Sequence, residues 1–341
     1  MRNILNIGII GCGKHADNFH IPSFLRLKNK YRIIGFYDLN INRSNYLKKK
    51  YKVGNVYSSL DSLLKDKLID VVDICSPPTF HYNQIVKSLK NNKHVMVEKP
   101  MVLKSIELKK IINLNLKHKK KILCLQQQNL RDETKILLSF FRKNKKKLGK
   151  LILIDGKANV KIPKQIGNSF TNKKISGGGP LIDQGSHILG LITNILKQSK
   201  IKKIKFLIFK KKKIKKKNFI FNIEHAAYLN ILFKNNINFL FETSYCYQKK
   251  INEFLINFYF KKGFISWPKL EYKFMNSKKI KKINYKLPLK LASDNQFNHF
   301  YEIIKYNIKP ITSLINSLYL VRLIEKCYSR SKIITDENKS L

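Results

Sequence analysis

Alanine and arginine are both scarce in this chain: its 341 residues hold 5 Ala and 8 Arg beside 61 Lys. Acidic side chains are few as well, 21 Asp and Glu against 69 Lys and Arg, and the formal charge is +48. Charge of that sign and size is the footprint of a nucleic-acid binder. The shortage of arginine, however, removes the planar fork that grips phosphates and base edges. The lysine-rich runs at 117–121, 143–147 and 210–217 also lack the interleaved aromatic rings on which bases stack. Lys, Ile and Asn have A/T-rich codons, whereas Ala, Gly and the common Arg codons are G/C-rich. The excess therefore reads as genome bias, and only salt-sensitive adsorption to polyanions is expected, with no specific nucleic-acid partner.

Cysteine is sparse too. Cys12, Cys75, Cys124, Cys246 and Cys327 are odd in number and scattered, without a C-x-x-C pair. Neither a disulfide framework nor a metal site is indicated, and a reducing cytoplasm is the expected location. No apolar run approaches the roughly 20 residues that span a bilayer, so a soluble protein without membrane contact is expected. Ile9-Ile10-Gly11-Cys12 after Arg2 imitates a lipoprotein signal, but its apolar stretch is short and interrupted by Asn6.

What is present begins with residues 3–10, an apolar run suited to a buried parallel strand, followed directly by Gly11-Cys12-Gly13-Lys14-His15-Ala16. This is the dinucleotide fingerprint in its G-x-G-x-x-A form. Gly11 allows the tight turn, Gly13 lets the backbone approach a pyrophosphate, and Ala16 lets the next helix pack closely with its N-terminus toward the anion. A second predicted strand at 31–37 ends at Asp38, 22 residues past Ala16. A carboxylate there accepts hydrogen bonds from ribose hydroxyls and repels a 2′-phosphate. NAD is the expected cofactor and NADP the alternative, with Arg43 five positions on as a candidate phosphate contact.

Further strands at 70–75, 94–97 and 121–125 alternate with helices, one at 80–90 capped by Thr79 and one from 105. The pattern predicts an α/β fold with an N-terminal doubly wound parallel (Rossmann) sheet over 1–125. Gly11, Asp38, Ser76 and Lys99 all fall at the carboxyl ends of its strands, where ligands bind. From 126 the character changes. A helical segment at 132–146 leads to 151–160, and runs at 227–233, 237–242 and 254–260 alternate in strand fashion, 234–236 reading as a hairpin turn. A C-terminal α+β domain over 126–341 with a large, mainly antiparallel sheet follows. Leu314, Leu318, Val321, Ile324 and Tyr328 recur at helical spacing as a packing stripe.

Within the second part, Ser176-Gly177-Gly178-Gly179-Pro180-Leu181-Ile182-Asp183-Gln184-Gly185-Ser186-His187 sets an acid and an imidazole four residues apart behind a glycine turn. With a helix starting at Pro180, Asp183 and His187 share one face. A carboxylate beside an imidazole orients it and favours its protonated form, which suits a group that takes up and returns a proton near neutral pH. An ordinary helix face carrying two polar residues gives the same spacing, so the upstream fingerprint is what lends the segment meaning.

Four segments, 11–16 with His20-Ile21-Pro22, Ser76-Pro77-Pro78-Thr79-Phe80-His81, Glu98-Lys99-Pro100, and 177–187, together resemble the glucose-fructose oxidoreductase, inositol dehydrogenase and rhizopine-catabolism (Gfo/Idh/MocA) family along nearly the whole chain. The resemblance implies that Lys99, Asp183 and His187 form the catalytic set, with Pro100 in cis. Cofactor contacts are expected from Gly11, Cys12, Gly13, Lys14, His15, Ala16, Asp38, Arg43, Ser76, Pro77, Pro78, His81, Glu98 and Lys99. It further implies NAD or NADP, substrates of the sugar, polyol or nucleotide-sugar class, and a homo-oligomer formed through an open-faced C-terminal sheet. Gly190 departs from the acidic residue of many members, and the segment 126–131 follows the usual arginine-ending stretch only loosely, leaving Gln128 and Arg131 as substrate-side candidates.

Hydride transfer between nicotinamide and a secondary alcohol or ketone needs a proton acceptor and a cation for the alkoxide. Lys99 supplies the charge, His187 takes the proton and Asp183 holds the imidazole; which of Lys99 and His187 is the formal base stays open. Two other readings are a non-catalytic dinucleotide-binding regulator and a reductase of a non-sugar carbonyl, dihydrodiol or tetrapyrrole.

Overall fold

The computed structural model describes residues 3–161, 169–210, 214–216, 219–245, 253–285 and 289–335. Cys246 and residues 211–213 and 217 of the lysine-rich run lie outside them. Two compact units emerge, one of residues 1–127 with 291–322, the other of 128–290 with 323–341.

The first unit contains β1 (Leu5–Ile10), α1 (Ile21–Arg26), β2 (Tyr31–Tyr37), α2 (Ile41–Tyr51), β3 (Asn55–Val56), α3 (Leu60–Lys65), β4 (Val71–Ile74), α4 (Pro78–Lys90), β5 (His94–Glu98), α5 (Ser105–His118) and β6 (Ile122–Leu125). Its six strands are all parallel in the order β3-β2-β1-β4-β5-β6. That is the strand order of dinucleotide-binding folds, with the topological switch between β1 and β4. β1 is buried throughout because helices cover both faces. Asn6, the polar interruption, is satisfied there: its amide donates to the Leu68 carbonyl at 2.8 Å and its backbone N–H to Asp70 at 2.9 Å. Thr79 is not the cap of α4. Pro77 occupies the cap position without a side-chain hydrogen bond, and Pro78 opens the helix.

The second unit contains α6 (Asp132–Lys143), α7 (Lys145–Leu148), β7 (Leu151–Val160), α8 (Lys173–Ser176), α9 (Ser186–Ile195), β8 (Ile201–Lys210), β9 (Ile214–Lys216), β10 (Phe219–Phe221), β11 (Ala226–Phe233), β12 (Asn238–Tyr245), β13 (Glu253–Phe260), β14 (Gly263–Trp267), β15 (Glu271–Phe274) and β16 (Lys281–Lys282). The helix expected at 132–146 is split at Asn144, whose backbone leaves the helical region. Strand β17 (Ser331–Thr335) completes a nine-stranded sheet, β16-β15-β14-β13-β7-β12-β11-β8-β17, antiparallel except at β12–β7 and β17–β8. Period-two burial is clear in β11, where Ala227, Leu229, Ile231 and Phe233 are buried while Tyr228 and Asn230 are exposed. The buried face carries α9 and the turn before it.

Two further helices, α10 (Ala292–Lys305) and α11 (Leu314–Ser329), correct the single boundary expected near 126. Phe297 and Phe300 of α10 are buried in one cluster with Phe24, Tyr31 and Phe36, so residues 291–322 return to the first unit. Leu318 and Val321 of α11 join the core beneath β4 and β5. Among the described residues no helix is long and apolar enough to cross a membrane.

Candidate active site

In the first unit the chain leaves β1 at Gly11 with φ +92°, and a Cβ there would lie 2.5 Å from the Ser76 backbone nitrogen. Only glycine fits so close to the neighbouring strand end. At Gly13, by contrast, a Cβ would meet nothing within 4 Å. The protein itself does not require that glycine, which is what a backbone left bare for a pyrophosphate looks like. Ala16 is fully buried and opens a π-turn (Ala16–His20) that leads into α1. Such wide turns are rare and cluster at functional sites.

Asp38, just past β2, accepts the Cys12 backbone N–H at 2.7 Å on one carboxylate oxygen and the Asn40 N–H at 2.8 Å on the other. Lone pairs remain on both oxygens for ribose hydroxyls. Arg43 donates from Nε to the Cys12 carbonyl at 3.0 Å and stacks over Tyr46, so it braces the fingerprint. Burial pushes the Cys12 thiol up to about 12 and keeps it un-ionised. Lys14 is exposed at the turn. The fingerprint, Asp38, Ser76 and Lys99 all stand at the carboxyl edge of the sheet, and these residues fit a dinucleotide.

His81, wholly buried, ties two of these edges together, with Nε2 2.7 Å from the Ser76 carbonyl and Nδ1 3.0 Å from that of Pro100. The Lys99–Pro100 peptide is cis. Ser76 donates to Gln84 at 2.5 Å. Glu98 Oε1 lies 3.1 Å from His20 Nε2 and 3.2 Å from His15 Nε2, while Oε2 accepts the Lys99 backbone N–H at 3.2 Å. Burial alone would raise the Glu98 carboxyl, yet the two imidazoles hold it well below the usual range. Two groups of metal-ligand type, His15 with His20 and Glu98, and His20 with Asp73 and Cys75, have their donor atoms within 4.8 Å of one another.

In the second unit the three glycines each have a separate cause. Gly177 ends α8 in the left-handed region at φ +81°. A Cβ on Gly178 would sit 2.3 Å from Tyr328 Oη, and one on Gly179 only 2.2 Å from the Glu224 carbonyl oxygen. Glu224 is buried and accepts the Gly179 N–H at 2.9 Å and the Tyr328 hydroxyl at 2.7 Å. Its burial pushes the carboxyl up, against the pull of those donors.

The helix expected from Pro180 is a second π-turn (Leu181–Gly185) followed by α9. This wider turn alters the α-helical face expected to carry Asp183 and His187 together. The Asp183 carboxylate accepts the hydroxyl of buried Tyr245 at 3.2 Å and the Gln184 amide at 2.8 Å. His187 stands at the start of α9, half-buried, with Phe254 edge-on 6.3 Å away. Phe254 neighbours Trp267 at 5.9 Å, and the Arg131 guanidinium lies 5.5 Å over that indole. Arg131 also forks onto Glu133, so its charge is already engaged. Gln128 is buried with its side-chain oxygen unbonded among the described residues.

Sequence reasoning missed Tyr245, Glu224 and the buried chain that runs from Glu98 through His20 to Asp73. Asp73 had a signal, a lone carboxylate inside the apolar strand β4. Tyr245 and Glu224 had none, because their roles depend on strands brought together from distant parts of the chain.

A parallel sheet in dinucleotide-binding order with a built fingerprint defines the NAD(P)-binding Rossmann class. Residues 5–126 match the family model described as oxidoreductase family, NAD-binding Rossmann fold, and the chain thereby carries the NAD-binding domain of the Gfo/Idh/MocA oxidoreductase family. It is 28% identical to the D-glucoside 3-dehydrogenase of Escherichia coli over 217 residues, 61% of this chain and 58% of that protein. The match thus spans less than two thirds of that relative. The fold is shared with an oxidoreductase from Thermotoga maritima (21% identity, TM-score 0.79, 95% of each chain). It is shared also with a 3-ketoreductase from Actinomadura kijaniata crystallised with NADP (13% identity, TM-score 0.82, 98% of this chain and 99% of that one).

Proposed function

We propose that the protein is an NAD-dependent dehydrogenase or reductase moving a hydride between nicotinamide and a secondary alcohol or ketone of a sugar, polyol or nucleotide-sugar. The observation that carries this reading is the Asp183–His187 segment, whose glycine loop is clamped by Glu224 and Tyr328 and whose carboxylate is held by Tyr245. Bound nicotinamide supplies the hydride acceptor or donor. Lys99 provides positive charge for the alkoxide, His187 takes the hydroxyl proton, and Asp183 orients and supports its imidazolium. Gln128 offers a buried acceptor for a substrate hydroxyl. The name of the glucoside-oxidising relative supports the substrate class. The test is NAD reduction with methyl glucoside, myo-inositol and UDP-N-acetylglucosamine; failure with all three, and with their keto forms plus NADH, sinks the substrate class.

NADH is expected to bind at least about tenfold more tightly than NADPH, roughly 1.4 kcal/mol, because Asp38 is held facing the fingerprint and repels a 2′-phosphate. Fluorescence titration reads both. Tighter NADPH binding would contradict the assignment, and Asp38→Ser should narrow the gap.

The outer face of the nine-stranded sheet bears Tyr228, Leu240 and Tyr259, all exposed. These apolar side chains, set on three adjacent levels of the outer face among Glu242, Asp155 and Asn230, are the surface we assign to a second copy of the chain. Light scattering should show an oligomer that Tyr228→Asp with Leu240→Asp dissociates; a monomeric parent protein refutes this. The four described cysteines are free, which supports a reducing, cytoplasmic setting. We assign the lysine surplus no specific nucleic-acid role, since the arginine forks such recognition uses are nearly missing.

A further inference from the structure

We propose that His20 is a positioning residue for Lys99: a doubly protonated imidazolium wedged between Asp73 and Glu98, fixing Glu98, which in turn fixes the backbone carrying Lys99. The proposal rests on the reading that Lys99 serves hydride transfer. His20 Nδ1 is 2.8 Å from Asp73 Oδ2, and Nε2 is 3.1 Å from Glu98 Oε1. A neutral imidazole offers one donor and one acceptor, but each ring nitrogen faces a carboxylate, which accepts; the Cys75 thiol, 3.1 Å from Nδ1, is the weaker third neighbour. With one ring nitrogen bare, its lone pair would face a carboxylate oxygen at about hydrogen-bond distance in a buried site, setting two acceptors against each other.

The ring has no freedom to evade this. His20 is fully buried, with Phe24 and Phe297 set edge-on at 6.5 and 5.1 Å. The titratable groups facing it are Asp73 on β4, Cys75 just beyond that strand, Glu98 on β5, and His15 of the fingerprint. Cys75 contributes no charge, because burial pushes its thiol far up. Asp73 Oδ1 is buried and has no hydrogen-bond partner among the described residues, so its charge is balanced through the other oxygen. Burial alone would favour neutral His20, yet contact with Asp73 holds its pKa well above the ordinary value. Outward from His20, both oxygens of Glu98 are engaged, Oε1 by the two imidazoles and Oε2 by the Lys99 N–H. The Glu98 carboxylate is therefore locked, and the Lys99 backbone with it.

The direct test is nitrogen-15 NMR of histidine-labelled full-length protein, with the His20 signal assigned from its absence in His20→Gln. Both His20 nitrogens should carry protons without titrating between about pH 6 and about pH 9, where an ordinary imidazole loses its charge. A bare ring nitrogen at neutral pH, or stoichiometric zinc bound there, overturns the proposal. This arm needs no substrate, so it stands or falls separately from the dehydrogenase reading. Asp73→Asn, which keeps the volume, should return His20 to titration in the neutral range; an unchanged signal counts against it, and this variant serves if His20→Gln does not fold. On whichever alcohol the parent enzyme oxidises, His20→Gln should lower kcat by about tenfold or more with the alcohol KM within about threefold. Unchanged kcat per folded active site would assign His20 a structural role only and overturn the proposal.

Discussion

Alanine at Lys99 or at His187 is expected to cut turnover by about two orders of magnitude or more while leaving NADH affinity nearly unchanged. In the proposed reaction the two residues are assigned to the reacting oxygen, one as charge and one as proton acceptor, and neither is assigned to the pyrophosphate. The cofactor cradle is built separately, by the Gly11 turn, the bare backbone at Gly13 and the Asp38 carboxylate. Removing a group used only in the transition state lowers kcat and kcat/KM together. Steady-state kinetics with parallel fluorescence titration of NADH reads both quantities. Turnover that survives both substitutions would turn the protein into a dinucleotide-binding regulator. The double variant should fall little further than the worse single one, because groups that act as a unit are strongly non-additive.

The cofactor half was largely legible in the sequence because its signals are local. An apolar strand, three small residues at fixed spacing and an acid after the second strand are each set by neighbours a few residues away. The six-stranded parallel sheet is the fold those signals predict. The same reasoning placed Thr79 as a cap and failed, because proline at 77 and 78 already fixes the backbone at the start of α4 without a side-chain bond. The first unit closes at 127, near the expected 126, but the return of residues 291–322 to it was not legible, for a long-range reason. Phe297 and Phe300 bury against Phe24 and Tyr31, more than 260 residues earlier, and no periodicity announces that partner.

The Asp183–His187 segment shows the limit most clearly. Spacing predicted an α-helix, whereas three glycines, one left-handed and two crowded, and Pro180 lead into a π-turn whose acid is held by a tyrosine from β12. The stripe on α11 was read as packing, and Leu318, Val321 and Ile324 do pack. Its last member, Tyr328, serves the site instead, with its hydroxyl on Glu224. An amphipathic stripe names the buried face but not which hydroxyl finds a buried acceptor.

Gly179→Ala should therefore be among the most damaging single-methyl additions in the second unit, and much worse than Gly178→Ala. At Gly179 the new Cβ would meet a backbone oxygen, that of Glu224, at 2.2 Å, and backbone within a sheet-linked segment has nowhere to go. The loop must shift, breaking the 2.9 Å bond from the Gly179 N–H to the buried Glu224 carboxylate. Overpacking and an unmet buried donor, the Gly179 N–H, together should cost roughly 2 to 4 kcal/mol. Because the same loop carries the π-turn, turnover should fall by about tenfold or more, while NADH binding persists. At Gly178 the obstacles are side chains, Ile182 Cγ1 at 2.7 Å and, closest, Tyr328 Oη, a far end that is able to swing aside at the expense of its bond to Glu224. Tyr328→Phe, which deletes that oxygen, should relieve Gly178→Ala in part and leave Gly179→Ala as damaged as before. Thermal unfolding and kcat of the two glycine variants, each with and without Tyr328→Phe, decide the matter; equal damage at the two glycines, or equal relief, would show that the clamp does not set the geometry of the turn.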